Sequence, residues 1–201
     1  MEFQKLHRDF YLQPTVTVAQ QLLNKLFVRK LHDNYLIGRI VETEAYLHND
    51  PASHSFRGKT LRNSVMFNPG GFLYVYFIYG MYFCCNVVTE EEGKGCAVLL
   101  RGIEPVCGID LMMKNRKKRD TLFLKKNLTN GPGKICQAFT ISREENGTDL
   151  TNNEIFISEN IFTTDNIRQP KIKASTRIGL RIGKGEKKKW RFYLSGNINT
   201  P

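Results

Sequence analysis

Arg39-Ile40-Val41-Glu42-Thr43-Glu44-Ala45-Tyr46 is an apolar, β-prone run interrupted by two acids, a residue type that packing does not require. Two other runs share this character. Leu73-Tyr74-Val75-Tyr76-Phe77-Ile78-Tyr79-Gly80-Met81-Tyr82-Phe83 carries a ribbon of phenols, and Ala97-Val98-Leu99-Leu100-Arg101 ends on an arginine. Together they suggest an apolar pocket holding a carboxylate. Glu42 and Glu44 stand two positions apart, so in a regular strand both leave from one face. Exposed acids would bond to surface lysines, whereas the flanks Ile40, Val41, Ala45 and Tyr46 favour an internal strand. An acid held there can be a general base that activates water. The residues alone do not choose between the two.

Upstream, residues 1 to 13 have a short helical spacing that Pro14 ends. Thr15 to Leu23 predicts an amphipathic helix with a threonine start signal. Leu26 to Lys30 and Tyr35 to Tyr46 alternate as a hairpin turned by His32-Asp33-Asn34. The polar loop from Leu47 to Asn68 is long enough to be functional, and carries His54, Arg57, Lys59, Arg62 and Asn63 as candidate phosphate contacts.

Downstream, strands are predicted over Phe83 to Val88 and Cys96 to Gly102, and Glu104-Pro105 reads as the start of a helix through Met113. The glycine-bearing turn from Thr129 to Lys134 opens a helix over Ile135 to Phe139 whose free N–H groups could hold a phosphate. The Gly-x-x-x-x-Gly-Lys-Ser/Thr spacing of a nucleotide P-loop is absent. Late strands are expected over Glu154 to Ser158, Lys173 to Ile182 and Trp190 to Leu194. With no internal repeat and no linker, the expectation is one α+β domain over residues 1–201, mainly antiparallel, with helices around the sheet.

A chain of 201 residues with a net charge of +11 implies a polyanionic partner, most often nucleic acid, unless the lysines serve only solubility. Two basic blocks, Lys114, Arg116, Lys117, Lys118 and Arg119, then Lys184, Lys187, Lys188, Lys189 and Arg191, fit two flanks of a duplex or two solvated loops. No run reaches the roughly 18 apolar residues of a membrane span, and the start lacks the apolar core of a signal peptide. No membrane partner is expected, and a bacterial source would place the protein in the cytoplasm with the nucleoid. The 5 cysteines form no Cys-x-x-Cys pair and read as reduced, buried small residues. The 4 histidines add no ligand-like spacing, so no metal is expected.

Glu42-Thr43-Glu44-Ala45-Tyr46, then Pro51-Ala52-Ser53-His54, then Met66-Phe67, then Tyr74 through Asn86, in this order and spacing, resemble the alkyladenine (3-methyladenine) DNA glycosylase family. The likeness continues from Phe10 through Leu23 and at Arg191-Phe192-Tyr193, so it spans nearly the whole chain. It implies a curved, barrel-like β core flanked by helices in one domain, acting as a monomer without cofactors on double-stranded DNA containing damaged purines. The implied reaction hydrolyses the N-glycosidic bond of 3-methyladenine or 7-methylguanine, with deaminated or etheno purines as further candidates, and leaves an abasic site.

Such a base must flip out of the stack, at a cost of a few kcal/mol that is least for damaged pairs. Aromatic stacking returns roughly 1–3 kcal/mol per base, and a cationic purine gains roughly 0.5–2 kcal/mol more against electron-rich rings. The resemblance assigns water activation to Glu44 with Arg101. It makes Tyr46, His54 and Tyr76 pocket walls, places Asn86 and Leu99 at the pocket's border, and makes Tyr79 a wedge in the duplex with Met81 beside it. Asn86 would reject the exocyclic amine of normal guanine. Arg62, Asn63 and Lys134 match phosphate contacts. One departure is the stretch Leu47-His48-Asn49-Asp50-Pro51, slightly shorter than the family's loop before His54.

Three other readings compete. A non-catalytic binder of distorted duplex would use the basic blocks and exposed aromatics alone. A strand-cutting glycosylase needs an amine nucleophile, and the three core runs hold no lysine. A zinc deaminase needs His-x-Glu and Pro-Cys-x-x-Cys, both missing.

Overall fold

The computed structural model describes residues 2–117, 127–162 and 171–197. Lys118 and Arg119 of the first basic block lie outside them. Eight strands form one antiparallel sheet that curls into a half-barrel, so the α+β fold is as expected. The path runs β3 (Leu73–Ile78), β4 (Tyr82–Thr89), β5 (Cys96–Cys107), β2 (Asn34–Tyr46), β1 (Leu26–Leu31), β6 (Ile155–Ser158). Off this path, β8 (Arg191–Leu194) pairs with both β2 and β7 (Ile172–Ser175).

The long strand β2 organises the sheet. One edge pairs with β5 from Ile37 to Tyr46. The other pairs with β1 up to Arg39 and then with β8 from Glu42 to Glu44. The change of neighbour coincides with register shifts between Ile40 and Thr43, the kind of irregularity that bends a strand. Glu42 and Glu44 therefore have a strand on each side, and both are buried.

The phenol ribbon is broken by a tight turn at Tyr79-Gly80, where φ is 53° and 66°. Positive φ at both central residues is what a type I′ hairpin requires. Holding a tyrosine there costs of order 1–2 kcal/mol, because its Cβ crowds the following carbonyl.

Three expected element boundaries differ. No helix begins at Glu104-Pro105: β5 continues to Cys107, and Glu104 Oε2 accepts a 2.7 Å bond from Arg39 Nε. Pro105, lacking an N–H, faces Gly38 at another register shift, where proline is tolerated. A Cβ at Gly38 would lie 2.2 Å from Ile103 Cγ2, so this crossing needs glycine. The helix α3 (Ile109–Asn115) starts only after Gly108. The second difference is Thr15, which does not cap α2 (Thr15–Gln21); its hydroxyl bonds the Glu90 carboxylate and ties the helix to the turn after β4. Third, β7 ends at Ser175, and residues 176 to 190 form no regular element.

A first short helix, α1 (Arg8–Tyr11), precedes α2, and α4 (Pro132–Ala138) follows α3. Val18, Ala19 and Leu22 near α2, Met112 of α3, and Ile135 and Phe139 at α4 join Ile40, Val41, Leu100 and Ile103 of the sheet in the main core. Each such large side chain contributes roughly 1.5–3 kcal/mol by leaving water. All five cysteines are free thiols, Cys107 alone being only partly buried. Among the described residues no helix is long and apolar enough to cross a membrane.

Candidate active site

A cavity of about 390 Å³ opens between the β3–β4 hairpin, the loop carrying His54, the start of α4 and the segment 178–180. That volume suits a small-molecule or single-base ligand, within the roughly 300–1,000 Å³ of such sites. Tyr46, His54 and Tyr76 line it with Asn86, Leu99 and Arg101. Tyr76 lies stacked on Tyr74 with centroids 5.4 Å apart, and the His54 ring meets Tyr76 edge-on at 4.5 Å. His54 Nδ1 is 3.0 Å from the Tyr74 hydroxyl, so the shorter loop still sets this ring at the wall.

Burial pushes the Tyr74 phenol up to about 12, against the opposing pull of Arg62. Burial likewise raises Tyr76, with Cys84 adding to it, and raises Tyr46, with Glu44 adding. These phenols stay neutral. Partial burial, then Arg62, pushes His54 below its ordinary value, which favours a neutral imidazole at the rim. Asn86 is buried, and its Oδ1 has no partner among the described residues.

Behind this wall stands Glu44, fully buried. Its Oε2 accepts a 2.7 Å bond from the Tyr46 hydroxyl and its Oε1 a 2.8 Å bond from the Ile178 N–H. Arg101 Nε is 3.5 Å from Glu44 Oε1 and 3.3 Å from Glu42 Oε1. Glu42 in turn accepts from Arg191 Nε at 2.5 Å. Two carboxylates and two guanidiniums thus balance in charge, as burial of ions demands. An ionised carboxylate has about four acceptor positions, so Glu44 keeps capacity for a water beyond its protein donors.

At the cavity mouth the hairpin tip projects Tyr79, 82% exposed, and Met81, 63% exposed. Arg62 is exposed and donates to the Phe77 carbonyl at 3.3 Å. Lys134, next to cavity-lining Pro132 and Gly133, donates to Asn130 Oδ1 at 2.6 Å, and burial followed by Arg116 pushes its pKa down.

Asn63 is a correction. Its side chain is buried, donating to the His54 and Gly58 carbonyls and accepting from the Thr60 N–H, so it shapes the loop and has no group left for a phosphate. Arg191 is another, being turned inward onto Glu42 while Lys184, Lys187 and Lys189 of its block stay exposed. In the first block, Lys114 and Lys117 are exposed, whereas Arg116 donates to the Asn127 and Leu128 carbonyls.

A family model described as methylpurine-DNA glycosylase matches residues 9–198. The chain belongs to the methylpurine-DNA glycosylase family. It is 45% identical over 192 residues, 96% of each chain, to a protein of Carboxydothermus hydrogenoformans named "putative 3-methyladenine DNA glycosylase". Proteins with the same name from Prosthecochloris aestuarii, 47% identical over 94% of this chain and 88% of the relative, and Clostridium acetobutylicum, 42% identical over 96% and 95%, are also similar.

Within this family member, three contacts that the sequence did not reveal cluster near Glu44. The Ile178 N–H is a main-chain donor and leaves no mark in a side-chain pattern. Glu42 is visible as an acid, but not as the partner of Arg191, since the two stand 149 positions apart and meet only through β8. Arg177 and Asp50 pair across 127 residues and give no local signal.

Proposed function

We propose that this member of the family releases alkylated purines, 3-methyladenine and 7-methylguanine first among them, from double-stranded DNA by a monofunctional hydrolysis that leaves an abasic site. Hypoxanthine and etheno purines are further candidates, and the protein acts as a monomer. The observation that carries this reading is Glu44, a buried carboxylate held by two hydrogen bonds directly behind an aromatic cavity.

The damaged nucleotide turns out of the stack, Tyr79 enters the space it leaves, and the base enters between Tyr46, His54 and Tyr76. A purine methylated at N3 or N7 is a cation, attracted to the faces of neutral rings. It also leaves as a neutral molecule, which makes cleavage easy. Glu44 takes a proton from water, the water oxygen forms the bond to C1′, the N-glycosidic bond breaks, and its electron pair departs with the purine. Arg101 keeps the carboxylate in place and offsets its charge.

Incubation with duplex alkylated by dimethyl sulfate, chelator present, tests this. Free 3-methyladenine and 7-methylguanine and alkali-labile sites are expected. Glu44→Gln should lower release by about 10²–10⁴-fold, the contribution of a positioned general base, while still binding the duplex. Unchanged release by Glu44→Gln would overturn the mechanism, and a protein that binds but never releases base would be the non-catalytic binder.

A further inference from the structure

Arg177 and Asp50 form an ion pair with no exposed side-chain surface on either partner. The two terminal nitrogens of Arg177 donate to four acceptors, while its buried Nε has no partner among the described residues. Nη1 donates to Asp50 Oδ2 and, at 2.9 Å, to the Ala45 carbonyl. Nη2 donates at 3.1 Å to Asp50 Oδ1 and at 3.3 Å to the Gly185 carbonyl. The same group lies 4.6 Å from the Tyr46 ring centroid and 5.3 Å from that of Trp190. One side chain thereby ties together the end of β2, the loop before His54, the irregular segment 176–190 and the entry to β8.

Its neighbours explain what is being tied. Tyr46, whose ring Arg177 covers, donates its hydroxyl to Glu44 Oε2, and Ile178, the next residue in the chain, donates its N–H to Glu44 Oε1. That N–H belongs to the peptide joining Arg177 to Ile178, so fixing the Arg177 side chain fixes the orientation of this donor. Two of the three groups around the Glu44 carboxylate are held in turn by Arg177, the third being Arg101. Gap filling does not call for a buried ion pair, since apolar side chains of similar volume do that at no desolvation cost. A bidentate fork that also stacks on two rings fixes direction, which an apolar side chain does not.

We infer that Arg177, locked by Asp50, is a positioning residue that, through the Tyr46 hydroxyl and the Ile178 N–H, sets the Glu44 carboxylate to activate the water that attacks C1′. Its side chain is buried and does not line the cavity, so the role is indirect. The inference rests on the proposal that Glu44 activates the water.

The test compares the unmutated protein with Arg177→Met, Arg177→Lys and Asp50→Asn on the dimethyl sulfate-treated duplex, measuring single-turnover release at saturating protein. Affinity for a duplex with a tetrahydrofuran abasic analogue and the melting temperature are measured in parallel. Misplacing a reacting group by about 1 Å costs on the order of 100-fold, so Arg177→Met should lose roughly 10- to 100-fold in rate with affinity within about threefold. Arg177→Lys, keeping the cation on Tyr46, should recover part of the rate. Should Arg177→Met fail to fold, the isosteric Asp50→Asn carries the test, with a smaller rate loss and unchanged affinity.

An active unmutated protein with equally active variants overturns the positioning role alone. So does a rate loss that falls in step with affinity and folded fraction, or a lysine variant no better than methionine. An unmutated protein that releases no base overturns the glycosylase reading and this inference with it.

Discussion

The hairpin tip at Tyr79–Met81, at the mouth of the cavity, and the bend of β2 at Glu42–Glu44, behind its wall, have opposite distributions of polarity. At the tip, large apolar and aromatic side chains stand in water on a left-handed turn. At the bend, carboxylates and guanidiniums are taken out of water and paired with one another. Ordinary folding puts apolar groups inside and charges outside. Both inversions cost stability, and the proposed reaction gives each a use: the tip would offer surface to a stacked duplex, and the bend would keep a fixed charge next to the bond to be broken. On that reading, a rim that binds and an interior that reacts should fail differently when mutated.

The largest separation is expected at Glu42. Replacing it by Gln leaves Arg191 and Arg101 with one negative charge too few in a buried site, and breaking such a pair costs about 3–5 kcal/mol. Urea unfolding should show that loss. The double variant Glu42→Gln with Arg191→Met should recover much of it, because no arginine remains stranded there without its partner. If Glu42→Gln unfolds at the same urea concentration as the unmutated protein, the bend is not held by charge and the contrast with the tip loses its basis.

Tyr79 gives the converse case. Truncation to Ala removes ring surface that is mostly exposed, so folding should be untouched or slightly improved. Binding to a duplex with an abasic analogue should weaken by roughly 1–3 kcal/mol, the worth of an aromatic ring against a base. A loss of melting temperature without a loss of affinity would make Tyr79 part of the fold and not of the rim.

How much of this was legible in the chain divides along the same line. The tip was legible in part: a pocket role for Tyr76 and a wedge role for Tyr79, which the resemblance implies, need the chain to bend near Gly80, where glycine permits it, and the structure turns at Tyr79-Gly80. A spacing of two puts Tyr74 and Tyr76 on one strand face, and the hairpin of β1 and β2 followed from its turn residues. The bend could not be read locally, because what makes Glu44 a fixed group comes from β5, β8 and the segment 176–190. Arg191 illustrates the difficulty. It follows Lys187, Lys188 and Lys189, so its sequence context is that of a solvated face, and only the pairing of β8 with β2 turns it inward. Glu104-Pro105 misleads for a related reason: it carries a helix-start pattern, but Gly38 across the strand leaves room for a bulge that accepts proline.

The smallest expected effect lies between the two regions, at His54. It is exposed on one side and set against Tyr76 on the other, and burial and then Arg62 lower its pKa below the unfolded value of about 6.5. The folded chain thus resists a proton that the unfolded chain accepts. Above about pH 6.5 neither form is protonated and stability is complete; as the pH falls below that value the unfolded chain takes up the proton first, and stability declines. His54→Gln, which cannot titrate, should flatten that part of the melting temperature profile between pH 7.5 and 5.5 relative to the unmutated protein. The same protonation should weaken binding of a cationic purine more than of hypoxanthine, because only the former is repelled by an imidazolium at the wall. A wall that is indifferent to the charge on His54, with both lesions losing affinity equally as the pH falls, would place this residue with the loop it sits on and not with the rings.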